Sequence, residues 1–390
     1  MDLALVNGRV MTDQGLVDGQ SVGIAGERIV AVGPARDLPA GARRVDLGGE
    51  LLLPGFIDIQ VNGGGGVLFN DAPSVEGIAQ IGAAHRRFGT TGFLPTLISD
   101  DLAVVAAAMQ AVAEALDRKV PGVLGVHVEG PYLNVERKGI HDAAKLRRLD
   151  ERGFAGLTGL KQGRTLVTLA PEIAGAEMIG RLAAAGVVVS AGHTNATFAQ
   201  SIAGLDAGMT GFTHLFNAMS PLASRAPGAV GAALYDSRSW LGIIVDGQHV
   251  DPVTLKLALR CRPAERFMLI TDAMPCVGST AGHFTLQGKA ITVRDGACFD
   301  DRGRLAGSNL DMASAVRNAV EMLDVSLAEA SRMASGNPAR FLGLGDETGR
   351  IAVGLRADLV LLDKSLAPLR TWVGGRTLDP APALSAAGDA

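Results

Sequence analysis

Cysteine is scarce in this 390-residue chain: Cys261, Cys276 and Cys298 are all it has, with no CxxC pair among them. Three cysteines cannot all pair within one chain, which excludes a disulfide framework and suits a reducing cytoplasm. Basic charge is also short. The 36 Lys and Arg against 40 Asp and Glu leave a formal net charge of −4, without the clustered cations of a nucleic-acid footprint. Met1 to Val10 lack the basic start and apolar core of a signal peptide. The Ala-rich run Leu102 to Leu116, broken by Gln110 and Glu114, is too short and too polar to span a membrane. Gly63 to Gly66 follow an apolar run but lack the Lys and Ser/Thr of a phosphate loop. These absences leave a cytoplasmic protein with no nucleic-acid or membrane partner.

What is abundant is apolar residue, 47% of the chain, and Gly, 51 residues placed at the ends of apolar runs. That is enough for a large core and a smaller second unit. Residues 1–53 read as short strands with tight turns, Asn7-Gly8 being a strong hairpin signal. Residues 349–377 read as more strand, and the two segments together suggest one small β-sandwich domain. Between them, 54–348 alternate strand and helix. Eight near-continuous apolar runs begin at Phe56, Gly92, Val123, Leu166, Val187, Gly211, Leu241 and Phe267, and each precedes helix-forming sequence. That alternation predicts an α/β fold, a (β/α)8 TIM-like barrel. An excursion at about 279–311 carries hairpin signals, and the Ala- and Pro-rich tail at 378–390 is expected to be mobile.

Strand ends carry the chemistry in such a barrel. Glu129, His193, His214 and Asp272 all fall at the C-terminal ends of predicted strands, on one rim. Two imidazoles and a carboxylate with an open fourth position form a common catalytic zinc set. Such an ion can lower the pKa of a bound water from about 15.7 to about 7. A neighbouring carboxylate, Asp272, can take that proton and return it to a leaving amine. His127 lies on the same strand face as Glu129, placed either to orient the metal set or to pack in the core. His85 falls on an outer helix and reads as structural. Cys276 has no neighbour that would mark a nucleophile and reads as a small apolar residue.

The stretches Pro54-Gly55-Phe56-Ile57-Asp58, His127-Val128-Glu129-Gly130-Pro131, Lys138-Gly139-Ile140-His141, Ala170-Pro171-Glu172 and Gly192-His193-Thr194-Asn195-Ala196 together resemble the N-acetylglucosamine-6-phosphate deacetylase family of the amidohydrolase superfamily. Further on, Thr213-His214-Leu215-Phe216-Asn217-Ala218-Met219, Arg225-Ala226-Pro227-Gly228, Asp246-Gly247-Gln248-His249, Thr271-Asp272-Ala273-Met274 and Leu305-Ala306-Gly307-Ser308 extend the resemblance over nearly the whole chain. The resemblance implies metal-dependent hydrolysis of the acetamide of N-acetyl-D-glucosamine 6-phosphate. Glu129, His193 and His214 would bind the metal, Asp272 would act as base and acid, and His141 would polarise the scissile carbonyl. Asn217, Ala218, Arg225 and His249 would hold the sugar phosphate, and Ile140, Asp246, Leu305, Ala306 and Gly307 would complete the substrate site. A homodimer is also implied, since some members take a phosphate-binding residue from a neighbouring subunit.

Where many amidohydrolases carry His-x-His for a second metal, this chain has Gln60-Val61-Asn62. The departure implies one divalent ion per subunit, with Gln60 and Asn62 at most hydrogen-bonding the metal's water. Zinc is the expected ion, with iron(II), cobalt(II) and manganese(II) as alternatives. Strand four ends without a Lys to become a bridging ligand. Two alternatives stay open: the same reaction on another acetamido sugar phosphate such as the galactosamine epimer, or a non-catalytic scaffold.

Overall fold

The computed structural model describes residues 1–39, 41–294 and 296–377; the expected mobile tail lies outside them. Eight parallel strands form the barrel. In chain order they are β1 (Phe56–Val61), β2 (Thr90–Ile98), β3 (Gly125–Glu129), β4 (Arg164–Leu169), β5 (Val188–Ala191), β6 (Gly211–Phe212), β7 (Trp240–Ile243) and β8 (Phe267–Leu269). Each pairs with its sequence neighbour, from β1 round to β8. Every residue of β1 and β2 is buried, as expected of strands covered on both faces. Pro95 sits inside β2 without an N–H to give to a ladder. Opposite it β1 carries one extra residue between the Asp58–Phe93 and Val61–Pro95 pairs, a bulge that absorbs the missing bond.

The seam between β1 and β8 is closed beyond the ladders. Asn62 N and Gly63 N both donate to Ala273 O, at 2.9 and 3.0 Å. Lower in the barrel, the buried Asp58 accepts from Thr271 Oγ1 at 2.5 Å and from Thr271 N at 3.3 Å. Burial pushes the Asp58 carboxyl up to about 7, against the hydrogen bonds from Thr271 and Gln60. A raised folded-state pKa means that the native state holds the proton more tightly. This contribution to stability is complete below the unfolded value near 3.8 and is lost as pH rises through about 7. Unfolding free energy is therefore expected to fall by on the order of 3 kcal/mol between pH 5 and pH 8. Denaturant melts across this window should give a flatter profile for Asp58→Asn, and identical profiles would remove Asp58 as the cause.

The outer helices start where side chains cap them. Ser74 Oγ accepts from Gly77 N ahead of the helix Val75–Arg86. Thr197 and Gln200 form a capping box for Phe198–Asp206. Strand four stops at Leu169, and Pro171 instead opens the short helix Pro171–Ala174. No helix among the described residues is long and apolar enough to cross a membrane.

The two ends of the chain join in a seven-stranded sheet, in which Leu359–Leu362 pairs antiparallel with Leu51–Pro54. Asn7-Gly8 is not a hairpin. It is a bulge inside one long strand, Leu3–Thr12, with Asn7 at φ +58°. The reason is tertiary: a Cβ on Gly8 would meet Leu47 Cδ1 at 2.6 Å, and the strand changes partners at this point. Its first half pairs with Arg43–Asp46 and its second with Leu51 and Leu52. The sheet so formed shares one core of Leu5, Val22, Ile24, Leu52, Leu359 and Trp372, so both ends of the chain build one small sheet domain beside the barrel. Of the C-terminal run Gly349 to Asp363, only Leu359–Leu362 is strand.

The excursion after β8 is a four-stranded antiparallel sheet, His283–Leu286, Lys289–Arg294, Ala297–Phe299 and Leu305–Ser308. Its last strand docks on the barrel rim: Ser308 N donates to Asp272 O at 2.9 Å and Met274 N to Ser308 O at 3.0 Å. Cys276 and Cys298 pack together in the core beneath it.

Candidate active site

Four side chains meet on the rim. Glu129 closes β3, while His193 and His214 stand just past the ends of β5 and β6, and Asp272 just past β8. His193, His214 and Asp272 have φ of +48°, +34° and +52°. A non-glycine residue in this left-handed region costs on the order of 1–3 kcal/mol and persists where surrounding contacts over-determine it. Here the contacts are plain. His193 Nδ1 meets Arg137 O at 2.9 Å, Leu215 N donates to Gly242 O at 2.8 Å, and Ser308 brackets Asp272.

Glu129, His193 and His214 each offer a ligand atom within 4.8 Å of the others. His193 Nε2 lies 3.2 Å from Glu129 Oε1, His214 Nε2 3.0 Å from the same oxygen, and the two Nε2 atoms 3.1 Å apart. Two ring nitrogens that close, facing one carboxylate, put three lone-pair donors around a point. With Nδ1–H of His193 given to the Arg137 carbonyl, its Nε2 is left with the lone pair, the arrangement of a metal-ligating histidine. The buried cluster fits a divalent metal site. Burial opposes ionisation of Glu129, yet its close pairing with the facing imidazoles holds its carboxyl well below the ordinary range.

Asp272 lies beside this cluster. Its Oδ1 accepts from Gln60 Nε2 at 3.0 Å and from Asn62 Nδ2 at 2.7 Å. Gln60 Nε2 also reaches both oxygens of Glu129 at 3.2 Å. Gln60 and Asn62 thus address the two carboxylates directly, and their amide oxygens are buried without a protein partner. Burial and the nearby charge of Glu129 push the Asp272 carboxyl upward.

A cavity of about 180 Å³ opens over these groups and is lined also by Ile140, His141, Asn217, Ala218, His249, Leu305 and Gly307. His141 Nδ1 accepts from Ser99 N at 3.3 Å and bonds Ser99 Oγ at 2.8 Å, which assigns the ring proton to Nε2. Burial, with the neighbouring His193, holds the ring well below its ordinary pKa and so neutral.

Three expected substrate residues do not line the cavity. Ala306 is fully buried, because strand alternation turns it into the core of the excursion sheet while Leu305 and Gly307 face out. Asp246 is turned to its neighbour, its Oδ2 meeting His249 Nδ1 at 2.6 Å. Arg225 stands on the exposed run 221–227. His127 lies below the site, bonded to Thr168 Oγ1 at 2.7 Å and Thr96 Oγ1 at 3.3 Å, its pKa lowered by burial to about 4. It is a core histidine. His85 bonds Gly63 O at 2.9 Å and is structural as expected. Sequence reasoning missed Ser99 and the Arg137 carbonyl, for which no motif stands. A larger cleft of about 570 Å³, lined by Met11, Arg332 and Arg350, lies away from these residues, so volume alone does not mark the site.

A parallel barrel carrying a Glu-His-His cluster and an adjacent Asp at its strand ends has the layout of a metal-dependent hydrolase. The chain belongs to the amidohydrolase family, whose model matches residues 51–378, and residues 3–52 match the NagA composite domain. The resemblance drawn from the motifs therefore holds. The chain is 47% identical over 329 residues to the N-acetylgalactosamine-6-phosphate deacetylase of Shewanella sp. (strain ANA-3), covering 84% of this chain and 83% of that one. It is 36% identical to the N-acetylglucosamine-6-phosphate deacetylase of Haemophilus influenzae, over 96% of this chain and 99% of that one. The crystal structure of N-acetylglucosamine-6-phosphate deacetylase from Pasteurella multocida superposes with a TM-score of 0.93 at 35% identity, over 96% and 99% of the two chains.

Proposed function

We propose that this protein hydrolyses the acetamide of N-acetyl-D-glucosamine 6-phosphate to D-glucosamine 6-phosphate and acetate. The observation that carries the reading is the convergence of Glu129, His193 and His214 beside Asp272, in a chain whose relatives are deacetylases of this substrate class. Glu129, His193 and His214 would hold one divalent ion, zinc being the expected one. Bound there, the ion would lower the pKa of a water toward neutrality. Asp272 takes the water's proton and returns it to the leaving amine. The neutral His141, with its proton on Nε2, donates to the acetamide oxygen and stabilises the charge that develops on it. Gln60 and Asn62 hold Asp272 in place.

The phosphate end calls for cationic donors. No Lys or Arg lines the cavity among the described residues, where His249 and the backbone of Asn217 and Ala218 stand. Arg225, exposed on its loop, would complete the phosphate site across a homodimer, its planar fork suited to the dianion. A second reading, the galactosamine epimer, is favoured by the name of the 47% identical relative.

Initial rates of acetate release on both epimers, and on unphosphorylated N-acetylglucosamine, test these readings. A kcat/KM at least about tenfold higher for the gluco phosphate is expected. The reverse ratio would establish the second reading, and metal-loaded protein inert on both would sink the proposal. Arg225→Ala should lower kcat/KM on the phosphorylated sugar alone; an equal loss on the unphosphorylated one would take Arg225 out of phosphate binding.

A further inference from the structure

The Ala170-Pro171-Glu172 motif has no place in the chemistry above, yet its carboxylate accepts three hydrogen bonds. Glu172 Oε1 accepts from Asn134 Nδ2 at 2.9 Å and from Asn195 N at 2.7 Å, and Oε2 accepts from Thr194 Oγ1 at 2.5 Å. These donors gather on the carbonyl side of His193. Thr194 and Asn195 follow it directly, and Asn134 N donates to the His193 carbonyl at 2.9 Å. Two turns of the same network fix its ring. Arg137, whose carbonyl takes His193 Nδ1, is tied by N to Asn134 O at 3.0 Å and by Nε to Asn195 Oδ1 at 3.1 Å. The Thr194 backbone then runs on to Ala218 O and Ser220 N, both at 3.0 Å.

We propose that Glu172 is a positioning residue that clamps His193 in its left-handed backbone conformation and sets the direction of its Nε2. The inference rests on the reading of His193 as a metal ligand. The physical argument is one of saturation. A strained backbone stays in place only if its neighbours have nowhere else to go. One anion at the start of the Pro171–Ala174 helix satisfies two side-chain donors and a backbone N–H gathered on the carbonyl side of the histidine. Remove it and those donors lose their common acceptor, so His193 can relax toward an ordinary φ and swing Nε2 off Glu129. Glu172 does not line the cavity, so it acts only through His193.

The test measures cobalt(II) affinity by chelator competition and the visible absorption of the cobalt-loaded protein. Glu172→Ala is expected to weaken binding by about 10- to 100-fold and to change the spectrum. Glu172→Gln, which keeps one oxygen for Asn195 N–H, should recover most of the affinity. Wild-type affinity and spectrum in Glu172→Ala, or equal damage in both variants, would overturn the proposal. Should Glu172→Ala fail to fold, Thr194→Val deletes one of the three bonds and should still weaken cobalt(II) several-fold; wild-type affinity there also overturns it. His193→Ala is the control: if it too binds as wild type, the metal reading itself fails, whereas its loss beside an unaffected Glu172→Ala sinks only the clamp.

Discussion

Asp272→Asn is expected to lower kcat by about 10²- to 10⁴-fold, the usual contribution of a general acid–base group, while leaving the metal content unchanged. The substitution is nearly isosteric. The side-chain oxygen can still accept from Gln60 and Asn62, which meet Oδ1 at 3.0 and 2.7 Å. What is lost is the second carboxylate oxygen, which has no protein partner among the described residues and is the one left to take a proton. Burial and the negative charge of Glu129 raise the Asp272 carboxyl above its ordinary value, and a stronger base is better matched to a reaction near neutral pH. Because Asp272 lies outside the Glu129, His193 and His214 cluster, the variant should bind its ion normally. Steady-state rates together with elemental analysis of the same sample decide it. Near-normal turnover would remove Asp272 from the mechanism, and loss of the ion would recast it as a ligand.

How far the sequence reveals this site depends on how local the cause is. The barrel is legible because burial on both faces writes itself into continuous apolar runs, as in Phe56–Val61 and Thr90–Ile98, where every residue is buried. A polar residue ending such a run stands out, and that locates Glu129, His193, His214 and Asp272. Their backbone does not stand out, because left-handed φ at His193, His214 and Asp272 is imposed by neighbours and not by residue type. Asn7-Gly8 misleads for the opposite reason. The pair is well suited to a tight hairpin, but the packing of Leu47 over Gly8 uses the same freedom for a bulge. Ala306 was separable in principle by strand alternation from Leu305 and Gly307, once the excursion is known to end in a strand. Arg225 was not, since its place relative to the cavity is set by how separate segments, or separate copies, come together. Glu172 is visible as the end of a motif, but its use depends on donors from residues 134, 194 and 195 meeting at one carboxylate.

Chelation should reduce turnover to near background, and about one divalent ion per chain should restore it. The number follows from the amides. A second ion in the manner of a His-x-His site would have to be held by residues 60 and 62. Here Gln60 Nε2 and Asn62 Nδ2 face the oxygens of Asp272, and Gln60 also those of Glu129. Turning either amide over would set oxygen against carboxylate oxygen, so its N–H groups stay between the carboxylates, where a second cation would have to sit. Strand four offers no help: it ends at Leu169 without a Lys, and Glu172, in the short helix that follows, is already committed to three donors. The ion that does bind joins groups otherwise crowded together in the core, so loading should raise stability as well as activity. At free ion about a hundredfold above Kd the gain is on the order of 3 kcal/mol, readable as a rise in Tm that vanishes with chelator. Two ions per chain with full activity would keep the enzyme and overturn the role given to Gln60 and Asn62. Activity that survives complete removal of metal would refute the Glu129, His193 and His214 site altogether.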